Sequence, residues 1–373
     1  MTSKKGPAAV ETLSYDGDRP RDHSLAAADQ ELQPSVVDPD DPRWHDFVAH
    51  HPDAGPFHQP AWTSAVLDTF GYQPRFHALV SRETARIEAA WPTMLVSSRL
   101  TGRRLVCLPF CHRAGPLISS SDQACRLLDA LIKDAAELGV ATIEARDWPS
   151  TIPMPQLLRV GNQSSTHVLD ISSGPDELSR NLGRDIRYSI RRAHRNGVSS
   201  RSATGNEELE VFYSLYLAQR QRQHLLAQPE KFVRRVYQRF SLTGNAFLVL
   251  AEYAEAPVAA FLTICHGTTA VGLDSGTDPL GRSLRANSAA IWRSIEVAAE
   301  HGCTRYDFGR SPTSAAGQQH FKREWGANEV DLPYTYCGRP SGINTGNPSA
   351  MKRLVLEAFT RSVPLPVFES ISG

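Results

Sequence analysis

The sequence predicts an α/β (mixed α+β) protein built as two similar units in tandem, each a mixed sheet flanked by helices. The first observation is an internal repeat. Gln59 and Pro60, with a run to Phe70, recur as Gln228 and Pro229 with a run to Phe240. Phe76 to Val80, ending at Ala89 and Ala90, recurs as Ala246 to Leu250, ending at Ala259 and Ala260. Ala135 to Gly139 then recurs as Ala298 to Gly302. Three blocks in one order, at an offset of about 165 residues, mark a duplicated structural unit. The second observation is size: 373 residues, 41% apolar and 21% charged, suit two soluble domains with a core each. The third is the alternation of short strand-like runs with longer helical ones, which implies antiparallel pairs joined to parallel neighbours.

The elements follow in order. Residues 1–41 read as a disordered acidic tail, since Met1 to Arg43 hold nine acidic and five basic residues with no apolar period. Residues 42–165 form the first unit. His77 to Val80, Ala89 to Val96 and Leu105 to Leu108 read as strands, and Gln123 to Leu138 as a helix closed by Gly139. Thr166 to Ile171 leads as a strand into the second unit, residues 166–340, and Pro175 suits a helix start. There Phe247 to Glu252, Val258 to Cys265 and Ala270 to Asp274 read as strands. Ala286 to His301 reads as a helix closed by Gly302, and Arg305 to Phe308 as the next strand. Residues 341–373 form a C-terminal extension with a loop, a short helix and a Pro364–Pro366 ending.

Composition narrows the function classes. Formal net charge is zero, so a polyanion would have to be met by a local basic patch. The cysteines (Cys107, Cys111, Cys125, Cys265, Cys303, Cys337) show no C-x-x-C and no metal-ligand spacing, which reads as reduced thiols in a cytoplasmic protein. No stretch has the length of a transmembrane helix, and the N-terminus lacks a signal peptide's apolar core.

Three constellations could carry chemistry. Arg184, Arg187, Arg191 and Arg195 recur at steps of three and four, one face of a helix whose other face holds Ile186, Ile190 and Ala193. Thirteen Lys and Arg stand against five Asp and Glu from Arg180 to Arg239. This stripe reads either as a phosphate-binding surface or as a solvated helix face. The second constellation, Tyr306 to Ser311, ends a strand in Gly309, Arg310 and Ser311, which presents Arg310 at the strand's mouth with Asp307 to orient it. The alternative is a structural Asp-Arg pair at a strand edge. The third is Lys322 between Phe321 and Trp325. Such a lysine could steady an oxyanion or a phosphate, or it could pair with Glu324 while the two rings pack as core.

The second and third constellations together resemble the FemAB family of transferases and their acyltransferase relatives. So do Arg187 to Val198, which read Arg-x-x-Ile-Arg-Arg-Ala and end in Gly-Val. Phe57, Gln59 and Trp62 resemble the family's opening motif, and the Pro364–Pro366 tail a common ending among relatives linked to exopolysaccharide genes. The resemblance spans roughly residues 42–373. It implies two tandem GNAT-like domains, which agrees with the repeat. It also implies transfer of an aminoacyl group, from aminoacyl-tRNA as donor, to an amine on a peptidoglycan precursor, amino sugar or natural-product intermediate. By that resemblance Lys322 steadies the tetrahedral intermediate or the donor's phosphate. Arg310, Arg187 and Arg191 hold anionic groups, and Asp307 is the candidate proton acceptor. Arg184, Arg195, Phe321, Trp325, Ser311 and Asp274 complete the expected substrate contacts.

No metal or resident cofactor is expected. Two departures bear on the donor. The helical-hairpin arm of some tRNA-using members has no counterpart in Gly205 to Phe240. The loop that would hold acyl-CoA, Leu280 to Asn287, has Gly281 but no second glycine. Acyl-CoA is therefore the alternative donor, and a non-catalytic binder of an anionic ligand the alternative role.

Overall fold

The computed structural model describes residues 32–98, 102–203 and 205–338. The stretch before residue 32 and the extension 341–373, with its Pro364–Pro366 ending, lie outside the described residues. Folded structure begins ahead of residue 42, which corrects the expected limit of the tail. Leu32–Val37 (β1) pairs antiparallel with Gln73–Ser81 (β2), Leu32 opposite Ser81. Its middle residues are exposed, so this edge strand carries no apolar period.

The first half continues with Pro42–His50 (α1), Pro60–Phe70 (α2), Ile87–Ser98 (β3), Gly102–Cys107 (β4), Ser121–Glu137 (α3), Thr142–Arg146 (β5) and Arg159–Asp170 (β6). The second contains Pro175–Asn181 (α4), Arg184–Arg195 (α5), Val198–Ser202 (β7), Asn206–Arg222 (α6), Glu230–Ser241 (α7), Ala246–Tyr253 (β8), Ala256–His266 (β9) and Thr269–Thr277 (β10). Pro279–Leu284 (α8), Ala286–Glu300 (α9), Arg305–Asp307 (β11), Ser311–Pro312 (β12), Ala316–Glu324 (α10) and Asn328–Gly338 (β13) complete it. Every strand and helix expected between residues 77 and 138 and between 247 and 308 falls within one of these elements, apart from a residue or so at some ends.

Local chemistry explains the helices that matter most. In α3, Ala124, Leu127, Leu128, Leu131 and Ala135 fall at helical spacing and are buried, and Ser120 caps the start by accepting from the Gln123 amide at 3.2 Å. Gly139 and Gly302, the expected helix closers, take φ of 63° and 80°, the left-handed region that glycine enters without steric cost.

Among the described residues all the strands form one 13-stranded mixed sheet, in the order β1-β2-β3-β4-β5-β13-β6-β11-β10-β9-β8-β7, with β12 paired to β6. Read from either edge, the order is the same series of repeat-related strands. Two neighbours are parallel, β4 with β5 and β10 with β11. Each such step needs a crossover, supplied by α3 in the first half and by α8 and α9 in the second. At the centre the halves exchange strands. β6, which ends the first half, pairs with β11, while β13, which ends the second, pairs with β5. The two expected sheets are therefore one, and the expected division at residues 165 and 166 falls inside β6.

The core is shared as well. The repeat-related helices α2 and α7 pack on each other, with the Phe232 ring 5.4 Å from that of Trp62 and 5.5 Å from that of Phe70. In the second half, β10 receives α6 at backbone distance: a Cβ on Gly276 would lie 2.3 Å from the Tyr216 nitrogen. Gly276→Ala should cost about 1–3 kcal/mol of stability through overpacking, read as a lower urea midpoint. An unchanged midpoint would mean that α6 can yield there.

Candidate active site between the two halves

Past Val106 and Glu144 the β4/β5 ladder ends, and past Val271 and Asp307 so does the β10/β11 ladder. Beyond each point the two chains part, and both openings lead into one cavity of about 580 Å³ lined from the two halves. The mouth of diverging parallel strands is where an α/β sheet offers backbone groups and loops to a ligand.

Asp307 sits at the second opening and is 1% exposed. Its carboxylate accepts from the Thr166 hydroxyl, from the Gly309 amide at 2.7 Å and from His112 Nε2 at 3.1 Å, with Arg113 at 3.8 Å. Burial alone would raise its pKa, but His112, Arg113 and the Thr166 hydroxyl hold it below the ordinary carboxylate range. A carboxylate so engaged is a poor proton acceptor at neutral pH. The structure thus corrects the sequence-based role for Asp307: it organises the turn. Asp307 lines a second cavity of about 450 Å³, while its partner His112 lines the main one.

Gly309 takes φ of 76° and swings the chain so that Arg310 reaches the main cavity. Arg310 Nε donates to Ser164 Oγ at 2.9 Å, and its guanidinium lies 5.1 Å from the centre of the Tyr334 ring. Lys322, half-buried on α10, donates to the Gly309 carbonyl. Burial pushes its pKa down to about 8, opposed by the charge of Asp307, so it keeps its proton at neutral pH.

Asp274 reaches the main cavity through a β-bulge. Gly272 pairs with Thr263 and Asp274 with Leu262, so Leu273 is the extra residue, and such a bulge re-aims the side chains that follow it. Asp274 makes no hydrogen bond among the described residues. Burial raises its pKa to about 6, with Arg220 opposing.

The other expected residues are placed differently. Trp325 is fully buried, packed on Phe308 and Phe321, and so is a core residue rather than a substrate contact. Phe321 is half-buried against it. Ser311 is likewise fully buried, opposite Ser165 in the β12/β6 pair, and does not reach the cavity. The arginine helix buries Ile186, Ile190 and Ala193 as its spacing predicts. However, none of Arg184, Arg187, Arg191 and Arg195 is among the residues lining the main cavity. A separate shallow basin of about 420 Å³ is lined by Arg192, Arg282 and Arg285 at the start of α9.

Sequence reasoning passed over His112, Glu144, Arg146 and Tyr334, all of which line the main cavity. The repeat held a signal for one of them. Aligning Gly139 with Gly302 sets Glu144 against Asp307, and both are buried carboxylates at a strand opening.

Residues 180–323 match the family model described as an acetyltransferase (GNAT) domain. No curated protein matches the chain. Among solved structures the chain is similar to FemX, at 15% identity and a TM-score of 0.67, over 82% of this chain and 97% of that one. It is also similar to a conserved protein of unknown function from Bacteroides thetaiotaomicron (11% identity, TM-score 0.57, 83% of this chain and 100% of that one). A third likeness is to a tandem GNAT protein from the clavulanic acid biosynthesis pathway (13% identity, TM-score 0.50, 86% and 100%). At these identities the structural likenesses establish the fold, two GNAT units in tandem.

Proposed function

We propose that this chain, whose residues 180–323 match a GNAT acetyltransferase domain and whose fold is two GNAT units in tandem, is an N-acyltransferase that joins an aminoacyl group to an amine in the cavity between its halves. The observation that carries this reading is Asp274, a carboxylate with no hydrogen bond among the described residues and a raised pKa at the opening between β10 and β11. Attack by the acceptor nitrogen on the donor's activated carbonyl makes the amide bond and breaks the acyl–oxygen bond. Asp274 takes the proton from the nitrogen, and that proton leaves with the donor's oxygen. Lys322 supplies positive charge beside the Gly309 turn for the developing oxyanion or a donor phosphate, and Asp307 holds that turn in place. Little else is required, because the donor is already activated and most of the rate can come from positioning and charge stabilisation.

The basic surface of α5, with Arg184, Arg187, Arg191 and Arg195 at helical spacing, supports aminoacyl-tRNA as donor. Acyl-CoA is the second reading, and one observation favours it: Arg192, Arg282 and Arg285 surround the basin at the start of α9, where a helix N-terminus would meet a pyrophosphate.

The test supplies labelled aminoacyl-tRNA or labelled acetyl-CoA together with a pool of amines and follows amide formation. The expected result is transfer from aminoacyl-tRNA. Binding should weaken steeply with salt and fall when Arg187 and Arg191 become Ala. Lys322→Ala should lower transfer by about 100-fold with the circular dichroism spectrum unchanged. Full activity in that variant, or no transfer from either donor, would sink the proposal; transfer from acetyl-CoA alone would establish the second reading.

A further inference from the structure

The first half brings a second set of chemistry to the same cavity. Glu144 is fully buried and accepts from Arg146 Nε at 2.8 Å, and Arg146 Nη1 donates to the Cys111 carbonyl at 2.6 Å. Arg146 keeps only 12% side-chain exposure, and it faces the cavity. From the second half comes Arg310. The two guanidinium carbons stand 5.3 and 5.1 Å from the centre of one ring, that of Tyr334. Tyr334 is placed to receive both because β13 is the exchanged strand: it pairs with β5, Tyr334 directly opposite Arg146.

The charge on this wall does not balance. Glu144 offsets one guanidinium, while Arg310 is bonded to a neutral hydroxyl and forms no ion pair among the described residues. Burying such a cation is costly unless an anion arrives to meet it. Guanidinium groups that are already oriented suit an oxyanion, because their outer N–H donors match its fork. Elsewhere the same cavity holds the opposite pole, Asp274, with no hydrogen bond among the described residues. Arg104 and Arg220 line the cavity too, Arg220 acting on Asp274, yet Arg146 and Arg310 are the pair gathered on one ring, and a lining with that pair on one wall and a carboxylate apart from it is complementary to a molecule carrying both signs.

We infer that Arg146 and Arg310, braced on Tyr334 and by Glu144, bind a carboxylate or phosphate carried by the acceptor on the same molecule as its amine, so that the substrate class is a zwitterionic amine. The word acceptor rests on the N-acyl transfer proposed above; the anion site does not, and it is measured by binding alone.

The experiment is calorimetric titration of the full chain with O-phosphoethanolamine, γ-aminobutyrate, ethanolamine and inorganic phosphate. Both zwitterions should bind at least about tenfold more tightly than either single-charge probe. The stronger of the two tells whether phosphate or carboxylate is preferred. Arg310→Gln should weaken both zwitterions about tenfold or more and leave ethanolamine unchanged. Arg310→Lys, which retains charge but not the fork, should fall between. Asp274→Asn should weaken ethanolamine and leave inorganic phosphate unchanged, and Arg82→Gln, an exposed residue after β2, should alter none of these affinities. Equal binding of all probes, no binding of any, or zwitterion binding indifferent to Arg310→Gln would overturn the inference. So would competitive displacement of the zwitterions by donor (charged tRNA or coenzyme A), since the site would then be the donor's. A protein that binds zwitterions in this pattern yet transfers no acyl group would keep the anion site and lose only the reaction.

Discussion

Asp274→Asn is expected to lower kcat/KM for transfer by about 10²–10⁴-fold, the range that a positioned general base contributes. The amide keeps the size of the side chain but cannot accept the proton of the attacking amine. A pH profile makes this sharper. In the wild type the rate should rise through pH about 6, as Asp274 loses its proton. It should fall through about 8, as Lys322 loses its own. The signs follow from the roles: Asp274 works unprotonated and Lys322 protonated, so activity peaks between the two values. Burial sets both limbs, lifting the carboxylate and lowering the ammonium, because each charged form is disfavoured away from water. The residual activity of Asp274→Asn should lack the acid limb and keep the alkaline one. A variant that retains both limbs at full rate would show that the proton goes elsewhere.

Asp307→Ala should destabilise the fold by about 3–5 kcal/mol, since one buried and two part-buried donors lose their acceptor at once. The Thr166 hydroxyl, the Gly309 amide and His112 Nε2 all end on this carboxylate. The loss depends on pH in a definite direction. Its folded pKa is depressed, so its contribution is present above the unfolded value of about 3.9 and disappears as pH falls toward the folded value. Urea midpoints of wild type and variant should therefore differ most at neutral pH and converge below pH about 4. A gap that does not change with pH would mean that lost packing, rather than lost charge, accounts for the effect.

Much of the fold could be read from the sequence because local signals and the repeat agreed. Gly139 and Gly302 close equivalent helices, and the runs after them are the two strands that sit parallel to a neighbour. The exchange of β6 and β13 was out of reach, since pairing between distant strands leaves no local period. The site was legible in part. Arg310 and Asp274 line the cavity, but the arginine period fixes only a helix face and cannot say where that face looks. Trp325 beside Lys322 reads as a ligand contact, yet an aromatic residue and a core residue have the same letter. His112 stands alone in its segment and gains meaning only when Asp307 arrives from the other half.

The exchanged central strands also bear on how the chain matures during synthesis. When the first half has emerged, β5 still lacks its outer neighbour, because that neighbour is β13, the last strand before the C-terminal extension. A bare strand edge is a template for wrong partners, and domains ordinarily close as they leave the ribosome. Here the first half cannot finish early, and neither half severed from the other would have a complete sheet. The two repeats are thus an obligate pair.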